Sequence, residues 1–233
     1  MTLYDRIAGI YDPWSRSVTE DVAFYVEQAL ASGGPVVELA VGTGRIAVPI
    51  AAAGIRVIGV DSSPGMLAVA REAADEAGVS DLVDLRVGDL REPPVSDRVP
   101  LVICPFRSLL HMETEDEKLR ALRAARDLLA DDGRFVFDVF APSREDIAET
   151  DGLWLEREPG IFERADWDES TRTLSLSLRS ADVETRFGLH WLSAPEWLRL
   201  LDEAALEVEA LYGWFDARPY DEEEDMVFVT CRR

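Results

Sequence analysis

Lysine is almost absent from this chain. Its 24 basic residues include one lysine, Lys118, and they face 46 acidic residues for a formal net charge of −22. A surface that tracks nucleic-acid phosphates needs clustered Lys and Arg. The arginines here are scattered among carboxylates, so no nucleic-acid partner is expected. The acidity reads as a soluble, self-repelling surface, with salt adaptation as the lesser alternative. Cysteine is scarce too: Cys104 and Cys231 provide neither a disulfide framework nor a paired zinc-ligand spacing, and no metal site is expected. Cys104 falls in an apolar run and reads as a small core residue. No basic-then-apolar segment opens the chain, and no apolar run approaches the roughly 20 residues of a membrane helix. The expectation is a cytoplasmic protein without a membrane partner. With 233 residues, the chain suits one large domain or one domain with a sizeable insert.

What is present is an alternation of strands and helices. The first 34 residues read as two helical segments broken at Asp12-Pro13. In the first, Leu3, Ile7 and Ile10 face inward; Ser17 or Thr19 caps the second, and Ser32-Gly33-Gly34 stops it. Strands are expected at 35–39, 55–60, 82–87 and 99–103, with a fifth in "GRFVFDVF". Helices fall at 44–53, from Ser62-Ser63-Pro64 onward, and at 115–130, where Leu119, Leu122, Ala125 and Leu129 face the core. Such alternation predicts an α/β fold, a parallel sheet covered on both faces. Between about 153 and 191 the period changes to two, as in "LSLSLR", with a turn at Asp168-Glu169-Ser170. That stretch predicts an inserted antiparallel patch. A helix at 194–205 and strands near 206–214 and 226–232 then close the chain, with a solvated acidic loop from Asp221 through Glu222, Glu223 and Glu224 to Asp225.

The stretch "VVELAVGTGRIAVPIAAAGIRVIGVD" (36–61) satisfies a loose dinucleotide fingerprint, Gly42-x-Gly44-x-x-Ala47 with Asp61 following. Three acids, Glu38, Asp61 and Asp89, lie at or just past the carboxyl ends of predicted strands, where open α/β sheets place their ligand crevice. Asp61 suits a ribose diol. Glu38 would oppose a pyrophosphate, whereas a ligand with an ammonium and a sulfonium but no phosphate removes that conflict. That ligand is S-adenosylmethionine.

Residues 36–140 with 194–233 resemble a class I S-adenosylmethionine-dependent methyltransferase of the small-molecule type. The resemblance rests on "VVELAVGTGR", "VIGVD", "VGDL" (87–90) and "LVICPFRSLLHM" (101–112), similar to the family's first four motifs. It implies a Rossmann-like, doubly wound, seven-stranded sheet with its last strand antiparallel. It also implies a helical lid at 1–34, a cofactor-binding core at 35–142 and 192–233, and an inserted β cap at 143–191 serving acceptor or dimer contact. One departure stands out: the first glycine of the usual G-x-G-x-G is Ala40, tolerable if the backbone there avoids positive φ.

The same resemblance implies site roles. Glu38 or its loop holds the methionine ammonium over a floor of Ala40, Gly42 and Gly44; Arg45 pairs with the methionine carboxylate, or is a surface arginine. Asp61, with Ser62 beside it, accepts the ribose hydroxyls. Met66 packs on the adenine, or is simply a core residue. Asp89, flanked by Gly88 and Leu90, takes the adenine amino group, and Pro105 and Phe106 complete the cofactor wall. The opening "YDRIAGIYDPW" resembles a cofactor lid, placing Tyr4 and Tyr11 toward the carboxylate or the moving methyl. His111 and Tyr11 are the catalytic candidates, His111 as base or acceptor ligand, or alternatively as a capping or packing group. Trp14, Phe106, Arg107, His190 and Trp214 are the acceptor candidates. "CPF" (104–106) lacks the polar residue and second proline of amino-methylating nucleic-acid enzymes. The expected activity is methyl transfer to N or O of a small-molecule acceptor, with a homodimer as a possible assembly. An NAD-dependent oxidoreductase competes, though a Tyr-x-x-x-Lys pair is absent. So does a protein methyltransferase or a cofactor-binding regulator.

Overall fold

A computed structural model describes residues 4–15, 19–221 and 225–233. Leu3, Ser17, Glu222, Glu223 and Glu224, named above as an inward position, a helix cap and an acidic loop, lie outside them. The strands β1 (Val36–Leu39), β2 (Val57–Asp61), β3 (Val83–Val87), β4 (Val99–Cys104) and β5 (Leu129–Phe140) form one sheet with β10 (Leu206–Tyr212) and β11 (Asp225–Arg232). Its order is β10-β11-β5-β4-β1-β2-β3. Neighbours from β5 to β3 pair in parallel, and β11 runs antiparallel to both β5 and β10. The sheet is therefore the doubly wound, mostly parallel one expected. All four residues of β1 are buried because helices cover both faces.

The helices begin and end where the local chemistry dictates. After α3 (Ala47–Ala52) comes α4 (Pro64–Glu76), where the Ser63 hydroxyl accepts from the Met66 N–H at 3.1 Å and Pro64 occupies the first turn where no N–H is needed. A capping box between Thr114 and Glu117 starts α5 (Glu115–Asp127). That helix stops before Leu129, which opens β5 by pairing with Val99 and so leaves the helical face expected for it. In α2 (Glu20–Ser32), Thr19 is the N-cap residue but makes no side-chain capping bond, and Gly33 closes the helix at φ 65.

The N-terminal break differs from expectation. A 3-10 turn at Tyr4–Arg6 leads into α1 (Ala8–Ser15), which runs through Pro13 instead of stopping there. Pro13 forfeits only the bond to the Gly9 carbonyl. Packing outweighs that loss, since Ile7 joins Met66 and Leu178 in one cluster, with Ile10, Tyr11, Trp14 and Phe187 against it.

The insert forms a second sheet of order β6-β7-β8-β9, made of Trp154–Glu158, Ile161–Asp168, Thr173–Arg179 and Glu184–His190, antiparallel throughout. A helix, α6 (Arg144–Thr150), precedes it and was hidden by its shortness; the Ser143/Asp146 capping box builds it. The sheet packs on the chain's own core: Ala165, Leu174, Leu176 and Leu189 share a cluster with Phe137 and with Trp197 of α7 (Ala194–Glu203). No helix among the described residues is long and apolar enough to cross a membrane.

Phe137 is the hub of that cluster. Its ring lies 5.0 Å from both Phe135 and Phe228 and 5.7 Å from Trp197, with no exposure. Phe137→Ala should lower unfolding free energy by about 3–5 kcal/mol in urea titration. Leu198→Ala, at a side chain 42% exposed, should stay within about 0.5 kcal/mol.

Candidate active site

The strand order reverses at β1, which has β2 on one side and β4 on the other. Open α/β sheets leave their ligand crevice at the carboxyl ends of strands at such a switch. A cavity of about 530 Å³ opens there. Ala40, Gly42, Asp61, Ser62, Met66, Gly88, Asp89 and Leu90 line it from the sheet side. Tyr4, Tyr11, Trp14, Phe106, Arg107, His111 and Trp214 line the opposite part.

Asp61 ties two loops together. One carboxylate oxygen accepts from the Gly42 N–H at 2.9 Å and the other from the Ser63 N–H at 2.8 Å. The turn between needs glycine at Gly44, with φ 82 and with Ala70 and Val48 each 3.3 Å from where a Cβ would stand. Ala40 departs from expectation. Its φ is 58, so the left-handed conformation that its side chain disfavours is imposed by the turn itself.

Glu38 is 2% exposed, and its Oε2 has no hydrogen-bond partner. Burial pushes its carboxyl well above the usual range, while Arg45 pulls the other way. It borders a small cleft of about 30 Å³ shared with Tyr11, Ala40, Arg45, Pro105 and Phe106. An orphaned acid there fits a cationic group, and a ligand ammonium in hydrogen-bond contact would supply the missing donor. A pyrophosphate would aggravate the conflict.

Three acids unforeseen in the sequence bind the N-terminal segment to the loops around this cleft. Asp5 accepts from Ser63 Oγ at 2.6 Å and from the Gly65 N–H at 2.9 Å, at the start of α4. Asp12 accepts from Thr43 Oγ1 at 2.5 Å, inside the glycine turn. Asp21, fully buried, takes Arg45 in a fork of 2.8 and 2.5 Å. Arg45 is thus engaged by the chain's own carboxylate instead of standing open toward a ligand's, and it also lies 4.7 Å from the Phe106 ring centre. No local pattern marks them: Arg6, Ser15 and Glu20 are equally polar on the same segment, and only the contacts set the three acids apart.

Across the cavity, Tyr4 OH and His111 Nε2 are 2.7 Å apart. Burial and the nearby Lys118 ammonium lower His111 to about 4, against a hydrogen bond with the Gly188 backbone that raises it. The imidazole is therefore neutral across the physiological range and accepts the phenol proton, while burial holds Tyr4 far above the usual phenol value. Tyr11 packs edge-on against Trp14 and Phe106 at 5.6 and 6.3 Å. Trp14 Nε1 donates to Glu163 of β7 at 2.7 Å, joining the N-terminal helix to the inserted sheet.

His190 is not brought to the cavity. Phe187 and Leu189 of β9 line it, and the two-residue period turns His190 to the other face, 3.3 Å from Lys118 Nζ. Lys118 itself is buried, donates to the Met112 carbonyl and is lowered to about 8 by burial. Asp89 lines the cavity but is held by Arg91, whose guanidinium and backbone N–H keep its carboxyl below the ordinary value. Asp138, also missed, lines the cavity from β5; an acid inside the buried run "FVFDVF" was its signal.

Residues 36–133, under half of the chain, match the methyltransferase domain family, and the chain has, in its sheet order, a fold shared with S-adenosylmethionine-dependent methyltransferases. Among solved structures it resembles the CcbJ methyltransferase of Streptomyces caelestis, 27% identical at TM-score 0.82, covering 93% of this chain and 97% of that one. An S-adenosylmethionine-dependent methyltransferase of Clostridium acetobutylicum ATCC 824, 16% identical, shares the fold at TM-score 0.80 over 99% of both chains. The YqeM protein of Bacillus subtilis (strain 168), whose name assigns it provisionally to the methyltransferases, is 27% identical over 139 residues, 59% of this chain and 55% of its own. The chain thus spans little more than half the length of that curated relative.

Ala40→Gly should relieve the left-handed strain and raise the unfolding free energy by up to about 1 kcal/mol, net of glycine's greater freedom in the unfolded chain. Thermal melts of the two proteins check this; a lower melting temperature would contradict it.

Proposed function

We propose that this chain transfers a methyl group from S-adenosylmethionine to the nitrogen of a small amine. The observation that carries the reading is the Tyr4–His111 pair facing the cavity. S-adenosylmethionine, when bound, supplies a methyl group already activated on a sulfonium. Glu38 receives its ammonium, Asp61 its ribose hydroxyls and Met66 its adenine, with Asp89, Gly88 and Leu90 at the adenine edge. Ala40, Gly42 and Gly44 form the floor, and Pro105, Phe106 and Ser62 the walls.

An alcohol acceptor needs a base to take its proton, and histidine serves best with a value near the working pH. At about 4, His111 is too weak. A neutral amine needs no such base. The Tyr4 oxygen, its O–H donating a hydrogen bond to His111, keeps lone pairs that accept an amine N–H and orient the nitrogen. Tyr11, Trp14 and Phe106 exclude water, and alignment of this kind supplies roughly 7–11 kcal/mol in favourable cases. The product ammonium releases its proton to solvent.

The inserted sheet belongs to the acceptor side in this reading. Ala165, Trp167, Leu174, Leu176, Phe187 and Leu189 give the cavity an apolar roof, with Arg107 and Trp214 at its rim. That roofed chamber favours a small molecule over a protein segment.

Calorimetry should give micromolar binding of S-adenosylmethionine and none of NADH, and Asp61→Ala should remove most of the heat. Glu38→Gln should weaken binding by about tenfold or more, the scale of one charge-assisted bond, without lowering the melting temperature. Binding of NADH instead would reject the reading.

With labelled cofactor, a panel of small amines and matched alcohols should take label at nitrogen. Tyr4→Phe should slow that transfer about 10–100-fold, the scale of one lost hydrogen bond to the reacting group. Transfer to alcohols alone would reject the choice of nitrogen.

A further inference from the structure

Phe106 and Arg107 are consecutive non-glycine residues in the left-handed region, at φ 57 and φ 61. Side chains disfavour that conformation, so two in succession need something to hold them. The Phe106 ring stands between Tyr11 and Trp14, at 6.3 and 6.5 Å, with the Arg45 guanidinium at 4.7 Å. It therefore sits where the cofactor cleft meets the acceptor chamber.

The holder is on the neighbouring strand. Asp138 is 5% exposed, one oxygen accepting from the Phe106 N–H at 2.8 Å and the other from the Arg107 N–H at 3.0 Å. The first oxygen also accepts from Tyr25 OH of α2 at 2.7 Å. We propose that Asp138 is the positioning residue of the active site, fixing the Phe106–Arg107 turn by its two backbone bonds and coupling that turn to the docking of α2 through Tyr25. The link to catalysis rests on the methyltransferase reading above; the link to the turn does not.

The coupling has a built-in pH dependence. Ionised, the carboxylate offers acceptors to all three donors. Protonated, one oxygen becomes a donor facing an N–H, and a pin is lost. Burial raises Asp138 to about 6, and Asp21 adds to the rise, while Tyr25, Arg107 and the Phe106 N–H oppose it. Cys104 and Arg45 also feel its charge. The turn is therefore held above about pH 6 and loosens below it.

The test uses the whole chain, labelled with nitrogen-15. The Phe106 and Arg107 amides should titrate together near pH 6 and be protected from exchange at pH 7.5. Asp138→Asn should abolish the titration and cut protection about tenfold or more. Tyr25→Phe, which removes a bond that favours the carboxylate, should keep the pins but move the midpoint upward; it carries the test if Asp138→Asn fails to fold. S-adenosylhomocysteine affinity should fall toward acid in the parent and in Tyr25→Phe, and should be weak and flat with pH in Asp138→Asn. Unchanged amide titration and protection in Asp138→Asn, or an unmoved midpoint in Tyr25→Phe, overturns the proposal. Failure of the parent to bind S-adenosylhomocysteine at any pH would instead strike the functional reading, with the amides still deciding the role of Asp138.

Discussion

An ionised carboxylate taken out of water costs several kcal/mol unless cations or N–H donors meet it. Around the glycine turn, Asp21, Glu38 and Asp138 are all at most 5% exposed, and Asp61 is partly buried beside them. Asp21 is answered by Arg45, Asp61 by the Gly42 and Ser63 amides, and Asp138 by Tyr25 and the Phe106–Arg107 backbone. Glu38 alone in this set keeps an oxygen without a partner. The chain satisfies those acids that shape the site and leaves one oxygen unanswered, which in the proposed function awaits a cation from outside. Replacing a partnered member would disturb geometry; on that proposal, replacing Glu38 would disturb recognition while relieving the fold.

The same chemistry closes the site from above. Asp5, Asp12 and Asp21 lie along the N-terminal segment and bind three separate parts of the loops around the cleft: the start of α4, the glycine turn, and Arg45 just beyond it. Tyr4, Tyr11 and Trp14 lie on the same segment, facing the cavity. Ordering the aromatic side chains and anchoring the segment are thus one event. The excess of acid over base, read from composition as a solubility device, is in these positions part of the site.

Much of this was legible because it follows from periodicity. Alternating strands and helices give the covered parallel sheet and the switch to a two-residue period gives the inserted antiparallel one, while the doubly wound seven-stranded arrangement came from the resemblance of the motifs. The rest depends on contacts far apart in sequence. Asp5, Asp12 and Asp21 sit on polar positions that no local pattern separates from solvent. His190 and Lys118 meet across 72 positions. Ala40 takes a positive φ because its neighbours demand it, against its own preference. Pro13 fails to end α1 because tertiary packing outweighs a local signal. Asp138 lay between those extremes: an acid in a strand buried on both faces marks itself, though not what it holds.

Lys118 shows how the second histidine still matters without reaching the cavity. A buried ammonium bound to the Met112 carbonyl fixes the chain one residue past His111, and its field helps keep that imidazole uncharged. His190, facing the ammonium through Nδ1, can accept a hydrogen bond there only while it is neutral, and burial, then the same field, lowers its own affinity for protons. Lys118 thus biases both imidazoles toward their uncharged forms. A neutral His111 is what allows Tyr4 to donate, so the single lysine of the chain adds to burial in holding that imidazole uncharged.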